Sequence, residues 1–173
     1  MKKMIFGLLA LFFALNVPAV EVDPAHAVIV VDKQADGTVQ FAALELQKYL
    51  LMITGTKIAI VHKPEAGKYP FIFGTPKGVS LNPEEARWEV TGEYTRLYGD
   101  STLTGSPKVE LRKILDTKSR SGDLTAVYDF LEQQLGVRFL APGKDGTAYE
   151  PVRILNLKEG KASWGPQLAY RYL

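Results

Sequence analysis

Two acids one helical turn apart are the first residues of this 173-residue chain whose spacing suggests chemistry. They are Asp129 and Glu132, inside the stretch GDLTAVYDFLEQQLGVRFLAPG from Gly122 to Gly143. Two carboxyls about 5–10 Å apart across a sugar-sized cleft are what glycoside hydrolysis requires. The apolar residues around these two point elsewhere. Leu124, Val127, Leu131 and Leu135 step by three or four, with Ala126 and Phe130 beside them, which is a helix face directed at a core. Asp129 and Glu132 fall between those positions, so the pattern predicts both carboxylates on a solvated face. Glu84 and Glu85 follow Asn82 and Pro83 and read as the acidic first turn of a short helix, and Glu93 falls at a hairpin turn.

Nucleophilic and metal chemistry have fewer residues still. His26 and His62 are the two histidines, one near the start of the mature chain and one at the end of a strand. A Ser-His-Asp relay holds its histidine between the other two groups, and nothing in the spacing brings Ser80 or Asp100 to His62. The chain has no cysteine, which excludes disulfides, thiol catalysis and zinc-thiolate sites. Asp32, Asp36, Asp145 and Glu150 are scattered loop acids without the spacing of a calcium loop. The glycines in ITGT, GTPKG and GDSTLTGSP lack phosphate-loop and dinucleotide spacing and read as turns and caps. The sequence therefore assigns no catalytic, cofactor-binding or metal-ligating residue, and leaves substrate-binding residues unknown. Tyr69, Phe71, Phe73, Trp88 and Tyr94 lie in strand-like runs and read as core or sheet-face aromatics before sugar platforms. Trp164, Tyr170 and Tyr172, mixed with Pro166 and Arg171, have the composition of an interface.

The elements that position these residues follow from periodicity. Val28 to Val31 is a consecutive apolar run, a buried strand. QADGT turns the chain, with Thr38 as N-cap of a helix running from Val39 to Thr54. Ala43, Leu46, Leu50 and Ile53 form its stripe, Phe41, Leu44 and Leu51 widen it, Glu45 and Lys48 take the wetter side, and Gly55 caps the end. KIAIV and YPFIFG are short strands, and ARWEVTGEYTRLYG is a hairpin about Thr91-Gly92. Residues 100–121 read as an exposed insertion with a short helix over 108–115. Ser121 or Asp123 then caps a second helix, Gly136 ends it, and VRFLAP and VRILNL are the last strands. Two helices among this many strands predict an α+β fold: a mixed, largely antiparallel sheet with both helices packed on one face.

The first nineteen residues belong to targeting. MKKMIFGLLALFFALNVPA has Lys2 and Lys3, an apolar run from Met4 to Leu15, and a small residue at Ala19 for cleavage. That predicts a secreted or periplasmic protein whose mature part, 20–173, is one domain. The run is shorter than the roughly 20 residues a membrane-spanning helix needs, so no membrane association is expected after cleavage. Without Lys2 and Lys3, Lys+Arg falls from 21 to 19 against 19 Asp+Glu, and a near-neutral chain offers nucleic acid no electrostatic footprint.

FAALELQKYLLMITGTKIAIV, FIFGTP, LTAVYDFLEQQLGVRFLAPGKDGT and PQLAYR together resemble the N-terminal domain of bacterial alpha-glucuronidases. They are also similar to the domain that precedes the barrel in beta-hexosaminidases and in related secreted glycosidase-like proteins. The most specific parts are Ala43 to Gly55 and Ala126 to Pro142, with Gly122-Asp123-Leu124-Thr125-Ala126 fitting the family's entry to its second helix. The resemblance implies a non-catalytic sheet with two helices on one face, preceding a (β/α)₈ barrel that holds the catalytic acids. Two departures stand out. Residues 100–121 are longer and less patterned than the family's, and the sequence ends at Leu173, where the barrel's first strand would begin. The expectation is an accessory domain whose partner is such a barrel, with a free-standing carbohydrate-binding module using Trp88 or Trp164 as the alternative. A small hydrolase relying on Asp129, Glu132 or His62 is the third reading.

Overall fold

The computed structural model describes residues 18–101, 120–143 and 146–166. Its centre is a six-stranded sheet in the order β10-β5-β6-β4-β2-β3. These strands are β2 (Ala27–Val30), β3 (Ala59–Val61), β4 (Tyr69–Phe73), β5 (Ala86–Val90), β6 (Thr95–Gly99) and β10 (Gly160–Trp164). β2, β3, β4 and β6 run parallel, and β5 and β10 are antiparallel to their neighbours. Two further antiparallel pairs, β1 (Ala19–Val22) with β9 (Leu155–Lys158) and β7 (Arg138–Phe139) with β8 (Thr147–Ala148), put antiparallel ladders in the majority. The fold is α+β with a mixed, largely antiparallel set of strands.

The sequence of each strand follows its place in the sheet. All four residues of β2 are buried, as expected of an interior strand between two parallel neighbours. β5 alternates instead: Ala86, Trp88 and Val90 are buried, Arg87 and Glu89 half-buried, so one face is covered and the other is wet. The covered face carries α1 (Gly37–Thr54) and α2 (Gly122–Leu135), which also pack on each other. Ile29, Phe71, Trp88 and Leu97 from the sheet meet Leu46, Leu50, Ala126, Phe130 and Leu131 from the helices in one core. Val22, Leu155 and Leu157 extend that core under the β1–β9 pair. Among the described residues no helix is long and apolar enough to cross a membrane.

The two helices end as the sequence predicts and begin differently. Gly55 and Gly136 both close their helices in the left-handed region, at φ 71° and 66°, where a Cβ is disfavoured. The N-cap of α1 is Asp36, two residues earlier than the expected Thr38; its Oδ1 accepts from Thr38 N at 2.9 Å and Val39 N at 3.0 Å. Neither Ser121 nor Asp123 caps α2: Ser121 occupies the position without a side-chain bond, and Asp123 turns back to the sheet. Glu84 and Glu85 open no helix. They form a turn with Glu84 at φ 59°, while Glu85 is buried and runs directly into β5. β1, β8 and β10 were not evident in the sequence, and the strand expected over VRFLAP shrinks to two residues. The expected helix over 108–115 lies outside the described residues; Ser101 and Ser121 pair across the base of that segment.

Candidate functional surface

The acid pair divides on folding. Asp129 is half-buried, and its Oδ2 accepts from Trp88 Nε1 at 2.7 Å. That corrects the expectation of a solvated carboxylate: the acid ties α2 to β5 by satisfying an otherwise buried indole N–H. Trp88 is 7% exposed and meets Phe130 edge-on at 6.2 Å, so its ring is closed to a sugar. Glu45, expected on the wetter side of α1, accepts from Tyr128 Oη at 3.0 Å and from Lys48 Nζ at 3.1 Å, linking the helices. Burial, then the Glu45 carboxylate, raises the Tyr128 phenol above its ordinary range. Glu132 stands apart: among the described residues no hydrogen bond or ion pair engages it.

The histidines assemble nothing. His26 is exposed and bonds to Asp23 at 2.8 Å within a short 3₁₀ turn, Pro24–His26. His62 is exposed, with Nδ1 at 3.1 Å from Val31 O beside Asp32 and Lys33. Asp100 lines a different depression, so the structure does not bring a relay together. Asp32 holds its own turn by accepting from Gln34 N, Glu93 is exposed beside the hairpin turn, and Glu150 is exposed. Asp145 lies outside the described residues.

The depression holding Asp100 sits where β4 and β6 end and α1 and α2 begin, the edge at which open α/β sheets bind ligands. Here the edge is walled by Asp36, Asp100 and Asp123. Asp123 is 3% exposed; Oδ1 accepts from Gly99 N at 3.0 Å and Oδ2 from Ser101 Oγ at 2.6 Å. Burial pushes its carboxyl up to about 6, the Asp36 and Asp100 charges add to that, and the Ser101 and Gly99 hydrogen bonds oppose it. Asp100 pairs with Arg120 at 2.8 Å and accepts from Glu84 N at 2.9 Å. Three carboxylates repel an anion, and Asp36 already occupies the free amides of α1. No group of three potential metal ligands occurs among the described residues. This edge is a clasp between β6 and α2.

The uncovered sheet face is similarly committed. Glu85 Oε1 accepts from Arg87 Nε at 2.7 Å and Ser163 Oγ at 2.8 Å, and Oε2 from Asn82 N at 2.8 Å. Arg87 first, then the Asn82 amide, hold its carboxyl at about 2. Tyr94 donates to Glu89 at 3.2 Å and has the Arg96 guanidinium 5.5 Å from its ring centroid, while Tyr98 is 8% exposed. Aromatic faces engaged in this way leave little platform for a pyranose ring.

What remains is the outer side of the helix layer. Leu44 and Leu51, expected to widen the core stripe of α1, are 42% and 40% exposed, two turns apart on its outer side. Leu140, after β7, is 75% exposed. Between the helices and the β7–β8 turn lies a notch lined by Tyr49, Tyr128, Glu132, Phe139, Pro142 and Thr147, among others. The ring planes of Tyr49, Tyr128 and Phe139 meet at 73–84°, with centroids 5.1–6.2 Å apart. The sequence gives a weak signal for this site, because each ring sits at the flank of its own pattern and only side-by-side packing of the helices unites them. Trp164, 40% exposed, ends β10 opposite Ala86 and does not follow the last strand; Tyr170, Arg171 and Tyr172 lie outside the described residues.

No protein-family model matches the chain, and no curated protein matches it. Solved structures similar to it include a GH20 exo-β-N-acetylglucosaminidase from Vibrio harveyi, in complex with N-acetylglucosamine. The TM-score is 0.48 at 14% identity, over 89% of this chain and 18% of that one, a likeness too slight to carry an argument about function. The chain thus spans less than a fifth of that enzyme's length.

Proposed function

We propose that this chain is an exported, non-catalytic accessory domain of glycoside-hydrolase type, whose helix layer docks on a (β/α)₈ barrel lying outside this sequence. The observation that carries the reading is the outer side of that layer. Leu44, Leu51 and Leu140 are solvent-exposed, and nothing in the core requires them to be apolar. Leu44 and Leu51 share one side of α1, and large apolar side chains placed together there suit a partner better than water. The described acids that could have served as catalysts are mostly engaged: Asp129 by Trp88, Glu85 by Arg87 and Ser163, and Asp123 by Gly99 and Ser101. The resemblance of Ala43 to Gly55 and Ala126 to Pro142 to the domain preceding glycosidase barrels supplies the partner class, and the leader at Met1 to Ala19 supplies the export.

The test is sedimentation and hydrophobic-dye binding on the purified chain. Self-association and dye binding are expected in the wild type and lost in Leu44→Glu/Leu51→Glu, with thermal stability shifted by no more than about 1 kcal/mol, as for surface changes. A monodisperse wild-type chain that binds no dye would overturn the docking reading. Turnover of aryl glucuronides or aryl N-acetylglucosaminides by this chain alone would overturn the non-catalytic one.

A further inference from the structure

The notch on the helix layer has a chemistry of its own. It is lined by three aromatic rings packed on one another at near right angles, Tyr49 buried and Tyr128 and Phe139 half-buried, and by one carboxylate, Glu132, its only charged liner among the described residues. Glu132 is half-buried and, among the described residues, has no hydrogen-bond or ion-pair partner, whereas Glu45 is engaged by Tyr128 and Lys48. A carboxylate beside aromatic rings gives the notch negative character. The ring quadrupoles and the anion both favour a cation, and a flat guanidinium can stack on a ring while donating to the carboxylate. The chain already shows the affinity of these rings for positive charge, since Lys48 Nζ lies 4.7 Å from the Tyr49 ring centroid. Lys48 is held by Glu45 and is not among the residues lining the notch.

We infer that this notch receives an arginine side chain of the protein that covers the helix layer. The inference rests on the docking reading and adds to it the anchor residue. Beside it, Leu140, next in sequence to the notch residue Phe139, supplies exposed apolar area, and one desolvated guanidinium there would fix register and partner choice. The expectation for the partner surface is therefore an arginine beside apolar residues.

The notch can be tested without the partner. The isotope-labelled full chain is titrated by NMR with N-acetyl-arginine methylamide, and in parallel with its uncharged isostere N-acetyl-citrulline methylamide. The arginine compound is expected to shift resonances of Tyr49, Tyr128, Glu132 and Phe139, and the citrulline compound to shift them far less. Glu132→Gln should weaken the arginine response about three- to fivefold, in the range of a single cation contact at a partly exposed site. Tyr128→Phe, which keeps the ring, should retain most of it. Equal responses to the two compounds, a response mapping elsewhere, or one unchanged by Glu132→Gln would each overturn the proposal. Such a result would leave standing the loss of self-association expected of Leu44→Glu/Leu51→Glu, so the notch and the docking surface can fail separately.

Discussion

The starts of α1 and α2 solve the same problem by opposite means. Four amides at a helix N-terminus lack intrahelical partners, and α1 satisfies two of them with the side chain of the residue just before it, Asp36. α2 has no such cap. It is fixed from across the fold: Gly122 N donates to Asp100 O at 3.0 Å, and the buried Asp123 side chain grips Gly99 and Ser101. One start is written in adjacent residues, the other in contacts more than twenty residues apart. α1 is therefore positioned by its own sequence and α2 by the end of β6, so damage to the two should differ in size and in pH dependence.

The contrast breaks most severely at Gly122. A Cβ there would stand 2.5 Å from both Asp100 N and Glu85 O, and Gly99 faces the Gly122 and Asp123 backbone as closely from the other side. These are backbone atoms that no rotamer change can move. Gly122→Ala is therefore expected to destabilise the chain by about 3 kcal/mol or more, the upper range for overpacking, although alanine is the better helix former. Denaturant unfolding checks this. A midpoint near wild type would mean that β6 and α2 are not locked together here.

Asp123 gives the same junction a pH signature. Its carboxyl rises from 3.8 to about 6 because the site is buried, so the folded chain holds the proton more tightly than the unfolded one. Its favourable contribution is complete below 3.8 and is lost as the pH rises through about 6. The loss is on the order of 2–3 kcal/mol at neutral pH. Asp123→Asn should remove this slope while keeping the acceptor for Gly99 N. Stability measured from pH 4 to pH 7 is then expected to fall less in the variant than in wild type, and identical slopes would place the ionisation elsewhere.

How much of this was legible beforehand follows the same local and non-local divide. The stripe of α1, both glycine C-caps, the β5–β6 hairpin and the apolar β2 strand each follow from neighbours in sequence. β1 and β10 escaped because each pairs with a strand distant in the chain, Val22 with Leu155 and Trp164 with Ala86, and their own residues are too few or too polar to signal a strand. Asp129 departs from its pattern for the same reason. Helical periodicity places it off the apolar stripe, but periodicity carries no knowledge that Trp88, forty-one residues away, brings an indole N–H to that position. Leu44 and Leu51 erred in the opposite direction, since a pattern counts leucines without knowing how wide the sheet beneath them is. The notch of Tyr49, Tyr128 and Phe139 exists only after two helices and a turn have met.

The smallest expected effect completes the comparison at α1. Removing the Asp36 carboxylate by Asp36→Ala frees the Thr38 and Val39 amides and should cost about 1 kcal/mol, the usual worth of an N-cap. Asp36 also lies across the depression from Asp123, and its charge helps to raise the Asp123 carboxyl. The same substitution should therefore relieve part of the strain on Asp123 at neutral pH, so the measured loss should be larger at pH 4 than at pH 7. A cap acting alone, without a charge felt by Asp123, predicts no such excess at pH 4. The sign of that difference shows whether the two helix starts are coupled through their aspartates. If they are, the locally written helix and the remotely fixed one share a single electrostatic junction, and α1 is less independent of β6 than its sequence implies.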